Sequence, residues 1–355
     1  MLRDVECKCE IVKNFAPSWF ASVMGTGITA VTSEFYSNRI PALHYLALGL
    51  FYFNIVLFTT LLVPWTLRWI FYREDAKKDL VHPVISNFYP TISVAMLVLS
   101  GNIFMFWGSD GKLLAELLWF IGALATVFFS LYIPYIVFSG EHVKIDHINP
   151  GWFIPPVGLI VIPIAGAKVY TALPAGVLKE SVLLLNIFGW GAGFFIYLAL
   201  LAVVMYRFIL HHPLPNVLAP TVWINLGPIG AGTMSLLALL NTLGASGGTV
   251  SGPVYGSITL FAVFFWSFGI WWLVMAIALT IHYIKNLSLP YSLAWWAFTF
   301  PLGAYVGATH LVAGVLKSDV VDLFGLSIYF LLLSLWTTTA VRTAMYTYHG
   351  TVFRR

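Results

Sequence analysis

The run from Tyr291 to Gly314 carries no charged side chain over 24 residues. That is long enough for a helix to cross the hydrocarbon core of a bilayer. Pro301, Gly303 and Gly307 stand in its middle. Proline deletes a backbone hydrogen bond and its ring clashes one turn back. In lipid such a break is tolerated where neighbouring helices or a water-filled cavity satisfy the freed groups. The run therefore predicts a broken helix on the wall of a path, and four other stretches share its design.

The rest of the chain is built for the same solvent. Of 355 residues, 60% are hydrophobic and 9% are charged, against about 25% charged in a soluble domain. Apolar runs of membrane length recur from end to end and predict an all-α polytopic membrane protein. Ten spans are expected: Pro17–Phe35, Leu43–Phe71, Asn87–Trp107, Leu113–Phe138, Gly151–Tyr170, Ser181–Phe208, Val217–Leu240, Val254–Ile284, Tyr291–Gly314 and Val320–Tyr346. The expected organisation is a single transmembrane domain over residues 1–355, with short tails at 1–16 and 347–355. Acidic Asp4, Glu6 and Glu10 argue against a cleavable leader. The net charge of +4 comes with no basic stripe, which excludes a nucleic-acid surface. Cys7 and Cys9, the two cysteines, read as free thiols on a tail. No motif calls for a cofactor, and no third ligand joins His211 and His212 to make a metal site.

Lysines and arginines set the expected orientation. With the N-terminus in the cytoplasm, 13 fall inside and 5 outside. Both termini are then cytoplasmic in a multi-pass protein of the plasma membrane.

The spans alternate in character. Even spans are rich in Leu, Val and Phe and end in cations such as Arg68, Arg207 and Arg342. Odd spans open on Pro and aromatic residues. Asn14-Phe15-Ala16-Pro17 is echoed by Asn87-Phe88-Tyr89-Pro90, and Trp223…Pro228 by Trp296…Pro301. Pro17, Pro90, Pro156, Pro228 and Pro301 stand 73, 66, 72 and 73 residues apart. That is one helical hairpin per repeat, five times, and a repeat of this kind argues for a repeated architecture. The simplest closed arrangement sets five kinked odd helices inside and five smooth even helices outside, with pseudo-fivefold symmetry around a central pore.

All 14 acidic residues lie in tails, loops or span ends. Proton relays and cation filters use intramembrane carboxylates or acidic rings, so the pattern counts against a proton pump or a cation channel and is compatible with an anion path. Small and hydroxyl residues mark the odd spans: Ser22, Gly25, Thr26 and Gly27 on the first, Pro90 on the third and Pro156 on the fifth. Asn225 and Pro228 mark the seventh, Thr299 and Pro301 the ninth. Close packing of helices explains such residues as well as pore lining does. Phe300 stands next to the helix break, where an aromatic ring in a narrow apolar lumen closes it by sterics and dewetting. His310 reads as a hydrogen-bonded interhelical residue, and His82 as a cap before the third span.

The segment Asn14-Phe-Ala-Pro-Ser-Trp-Phe-Ala-Ser-Val-Met-Gly-Thr-Gly27 resembles the first-helix signature of the tellurite-resistance/dicarboxylate transporter family. That family includes bacterial tellurite-resistance proteins, fungal malate and sulfite transporters, and the slow-type anion channels of plant guard cells. His82-Pro83-Val84 with Asn87-Phe88-Tyr89-Pro90 is similar to its third-helix start, and Ala294-Trp295-Trp296-Ala297-Phe298-Thr299-Phe300-Pro301-Leu302 to its ninth-helix segment. The resemblance implies five hairpins around a pore, a homotrimer with one pore per subunit, and a ninth-helix Phe that plugs the pore. Phe300 matches that Phe, with Phe298 as second choice and Phe88 as a further pore aromatic. Two functions stay open: passage of small anions through a Phe-gated pore, and a C4-dicarboxylate (malate) or sulfite carrier, with or without proton coupling. An intramembrane enzyme would need a nucleophile and base or paired carboxylates inside the membrane, and the spans hold neither.

Overall fold

The computed structural model describes residues 7, 9–140, 143–245 and 251–353, and among them the chain is helical with no strand. In chain order the helices are α1 (Cys9–Lys13), α2 (Ala21–Phe35), α3 (Ala42–Phe71), α4 (Arg73–Leu80), α5 (Pro90–Phe106) and α6 (Lys112–Ser139). There follow α7 (Ile154–Ala172), α8 (Val177–Leu210), α9 (Leu226–Ala245), α10 (Gly252–Asn286), α11 (Phe300–Leu316) and α12 (Asp319–His349). Nine helical stretches among the described residues are long and apolar enough to cross a membrane, and they cover the second to tenth expected spans. The first, Pro17–Phe35, is helical as well, but its Ser, Thr and Gly content keeps it out of the nine. The chain ends decide its status. Asn14 Nδ2 donates to the Phe353 carbonyl at 2.7 Å, and the Trp19 ring stacks on both Phe15 and Phe353 at 5.8 Å. Ends that share one side require an even number of crossings, so Pro17–Phe35 is the tenth.

α2, α5, α7, α9 and α11 touch one another in that order, and α11 closes back on α2. The other long helices, α3, α6, α8, α10 and α12, each run along the inner helix of their own hairpin. In the apolar windows of the inner helices α5, α7, α9 and α11, 67–89% of residues are buried, against 22–39% in the outer ones. Phe128, Phe195, Phe264 and Val320 are among the apolar side chains the outer helices leave exposed, as lipid-facing helices do. Lipid gives helices no hydrophobic drive toward each other, so the inner ring closes through small residues. A Cβ at Gly230 would lie 2.7 Å from the Ala304 carbonyl oxygen, so only glycine lets α9 and α11 run this close.

Each inner helix is led in by a 3-10 turn: Pro17–Phe20, Ile85–Phe88, Pro150–Phe153, Asn216–Asn225 and Leu293–Phe298. The marker prolines sit at these joints. Pro17 heads its turn, Pro90 and Pro301 fall in the first two positions of α5 and α11, and Pro156 and Pro228 are the third residues of α7 and α9. This corrects the expectation of a helix broken in mid-span. The first N–H groups of a helix have no intrahelical acceptor, so proline there loses nothing and starts the helix. Gly303 and Gly307 do not kink α11; they receive Ile28 of α2 and Met234 of α9.

The end carrying both termini is pinned by a buried cation. Arg68 donates to the carbonyls of Lys13 (3.0 Å) and Phe15 (2.7 Å) and to Asp79 Oδ2 (2.5 Å). His82 accepts from the backbone N–H groups of Val84 and Ile85 at 3.1 and 3.2 Å, capping the third span as expected. Cys7 and Cys9 are joined as a disulfide rather than free; their Cα atoms lie 5.1 Å apart, within the reach of such a bridge. At the opposite end Arg39 holds Asp322 at 2.6 Å, and His310 Nδ1 meets the same carboxylate at 3.1 Å across α11 and α12.

Candidate permeation path

Two spaces lie along the ring. Near the chain termini is a chamber of about 40 Å³, room for only a few waters. All five inner elements wall it, each through residues three apart: Ala21 and Met24, Thr91 and Val94, Ile154 and Val157, Ile224 and Gly227, Ala297 and Phe300. A three-residue step keeps side chains on one helix face. The chamber sits at the first turn of every inner α-helix, because Ala21, Ile154 and Phe300 are first residues and Thr91 and Gly227 second. Five positive helix ends therefore converge on it. Its lining is apolar; the Thr91 hydroxyl is engaged with the Phe88 and Pro17 carbonyls at 2.7 and 2.8 Å.

At the far end the ring opens into a space of about 1320 Å³ bounded by all five inner helices and α10. Its lining is mixed, with Phe35, Met234 and Leu237 beside Thr171, Asn241 and Tyr255, and it includes one charged residue, Lys168. Among the described residues no acidic side chain lines either space.

No residue belongs to both linings. On α2 they are separated between Met24 and Val31, on α5 between Val94 and Gly101, on α7 between Val157 and Ile164, on α9 between Gly227 and Met234. Seven residues are two turns, about 10 Å of helix. The residues in that interval line neither space and form the layer between the chamber and the opening.

The structure is a closed ring of helix hairpins whose two axial spaces have no carboxylate in their linings among the described residues. Residues 14–344 match the family described as "SLAC1: Voltage-dependent anion channel". The chain belongs to the SLAC1 family. It is 52% identical over 359 residues to an uncharacterized transporter of Methanocaldococcus jannaschii, covering 100% of this chain and 99% of that one. A sulfite efflux pump of Arthroderma otae is 26% identical over 92% of this chain and 88% of its own. A malic acid transport protein of Schizosaccharomyces pombe is 24% identical over 88% of this chain and 74% of its own. This is a family of membrane anion transporters, not of enzymes.

Within this SLAC1 family chain the anticipated site residues separate into two groups. Phe300, Phe88 and Pro301 line the terminal chamber, Phe300 with 5% of its surface exposed. Phe298 does not line it; its ring packs edge-on against Trp223 and Trp295 at 5.6 and 5.8 Å. Ser22 donates to the Trp19 carbonyl at 2.6 Å, and Thr299 to the Trp296 carbonyl at 2.8 Å. Gly25 faces Thr299 and Trp296, and Gly27 faces Asn54 and Asn102. Thr26 accepts from Trp336 Nε1 of α12 at 3.1 Å. Pro90, Pro156 and Pro228 are buried at the joints. Asn225 is buried beside Tyr197 of α8, with no hydrogen bond of normal geometry to its amide among the described residues.

Sequence reasoning passed over Met24, Val94, Ile154, Val157 and Ile224 because it looked for hydroxyls and glycines. The usable signal was the three-residue step just after each 3-10 lead-in. Lys168 was passed over as well, since in sequence it is one of several loop-proximal lysines.

Proposed function

We propose that this protein passes small anions along the axis of its inner ring, with Phe300 as the gate and Phe88 as a second aromatic of the same chamber. The observation that carries the reading is the convergence of five helix N-termini on a narrow apolar chamber with no carboxylate in its lining among the described residues. Each end acts as roughly +0.5 of a charge, so the field at the narrowest space favours an anion. Sterics and dewetting close it while the Phe300 ring is in place. The whole chain acts as one transmembrane unit in the plasma membrane, termini in the cytoplasm, one path per subunit of a homotrimer.

The second reading is a carrier for sulfite or a C4-dicarboxylate such as malate, driven or not by protons. Its support is the two-turn layer between the two spaces and the names of the fungal relatives.

The test is flux in proteoliposomes for chloride, nitrate, sulfite and malate, with and without a pH gradient, comparing wild type with Phe300→Ala. In the channel reading the variant passes anions about tenfold faster or more, the factor that ~1.4 kcal/mol of barrier commands. Saturable malate or sulfite flux in wild type, slowed by the variant, replaces the channel with the carrier. Absence of flux for every anion in folded protein overturns both.

A further inference from the structure

Lys168 stands four residues before the end of α7, exposed, and is the single charged side chain lining either space along the ring among the described residues. Of the other four cations of that end, three are engaged, and Lys317, just past the end of α11, is exposed and lines neither space. Lys112 donates to the Ala172 carbonyl at 2.7 Å and lies 3.8 Å from Glu116. Lys179 donates to the Leu173 carbonyl and lies 4.7 Å over the Tyr170 ring. Arg39 is held by Asp322 and Asp319. The carboxylates nearest the rim are held too: Glu34 by His44, Asp322 by Arg39 and His310. Among the described residues the Lys168 ammonium makes no ion pair, so its charge is not cancelled locally.

The polar groups around it sharpen the point. Thr171 donates to the Lys168 carbonyl at 2.9 Å and Thr259 to the Tyr255 carbonyl at 2.8 Å. The Tyr255 hydroxyl donates to Asn241 Oδ1 at 3.1 Å, which leaves the Asn241 amide N–H groups as donors. These hydroxyl protons are spent on protein acceptors. An ion entering the opening meets one full positive charge, and the amide of Asn241.

We infer that Lys168 is the anion-gathering residue of the wide opening: it raises the local concentration of small anions there and repels cations before they reach the layer between the two spaces. The inference rests on the ring being an anion path, but the electrostatic part is measurable without flux. A charge one helix turn away acts over about 5–6 Å. In partly aqueous surroundings that changes encounter rates several-fold. Salt removes the effect, because the screening length falls from ~30 Å at 0.01 M to ~3 Å at 1 M.

The reporter is Thr171→Cys, one turn from Lys168 on the same lining, with Cys7 and Cys9, the chain's two native cysteines, changed to Ser. Its rates of modification by an anionic and a cationic methanethiosulfonate are compared in 0.01 M salt. The anionic-to-cationic ratio falls about three- to tenfold with Lys168→Gln, stays up with Lys168→Arg, and approaches the Gln value in 1 M salt. A ratio unmoved by Lys168→Gln overturns the inference. Chloride uptake into proteoliposomes is the second arm: Lys168→Gln lowers uptake at low chloride and not at saturating chloride. Equal loss at both concentrations also overturns it. A salt-sensitive ratio with no chloride uptake in any variant, Phe300→Ala included, instead overturns the anion-path reading and leaves the field of Lys168 standing.

Discussion

The two ends of the ring solve the same problem with opposite materials. At the terminal end the helices begin, the space is about 40 Å³ and its wall is apolar. At the far end the helices finish, the space is about 1320 Å³ and one lysine faces it. The terminal end takes its positive field from backbone dipoles, which cost no desolvated side-chain charge. The far end has water to solvate an ammonium and so uses one. A charge is placed where it stays hydrated, and peptide dipoles act where it would not.

The anchoring of the two ends differs in the same sense, and this gives the largest expected effect. Arg68 and Asp79 have side chains 0% and 6% exposed, whereas Arg39 of the far-side pair with Asp322 is 46% exposed. Removing one partner of a buried pair strands the other charge and costs about 3–5 kcal/mol. An exposed pair is worth roughly 0–1 kcal/mol. Arg68→Ala should lower the melting temperature in detergent far more than Arg39→Ala. Equal shifts would show that the termini are not anchored through this cluster.

How much of this was legible in the sequence follows from the same physics. The hairpin repeat was visible because a proline stands at or near the start of every inner helix at nearly constant spacing, although Pro64, Pro134 and Pro163 lie inside helices. Its position was misread: Pro301 looked like a break in mid-span because the 3-10 turn Leu293–Phe298 is as apolar as the helix after it. The first span was legible through its small residues, though hydropathy alone misses it. The chamber was legible at Phe300, which lines it beside Pro301. It was not legible at Phe298, because the aromatic cluster with Trp223 and Trp295 is a contact between distant lead-ins. The hydroxyls were the hardest case. In a membrane helix Ser and Thr satisfy a carbonyl one turn back, so their presence says little about which face they occupy.

The next effect contrasts the two spaces by one substitution. Ala21 lines the chamber and Ala238 the wide opening, and both are half-buried. Leucine at Ala21 has about 40 Å³ to enter, while leucine at Ala238 has open space. In a Phe300→Ala background, Ala21→Leu should cut anion flux about fivefold or more, the factor set by ~1 kcal/mol of barrier. Ala238→Leu should leave flux within experimental scatter. The reverse order would place the narrowest part of the path at the far end and dissolve the distinction between the two regions.

The smallest expected effect concerns Thr26, which lies between the two spaces, two residues beyond Met24 of the chamber. Its hydroxyl accepts from Trp336 Nε1 at 3.1 Å and so faces the outer helix α12, away from the axis. Thr26→Val keeps the shape and removes the acceptor. An interhelical hydrogen bond in a membrane protein averages about 0.6 kcal/mol, so the melting temperature should fall slightly. Anion flux in the Phe300→Ala background should not change, because no lumen atom has been altered. The alternative gives a different signature. If the Thr26 hydroxyl contacted the passing anion, Thr26→Val would lower flux, do so differently for chloride and sulfite, and spare the melting temperature. The Trp336→Phe variant separates the two accounts, since it removes the same hydrogen bond from the α12 side without touching α2. Matching small losses of stability in both variants, with flux intact, place the layer between the two spaces on packing rather than on hydroxyl chemistry.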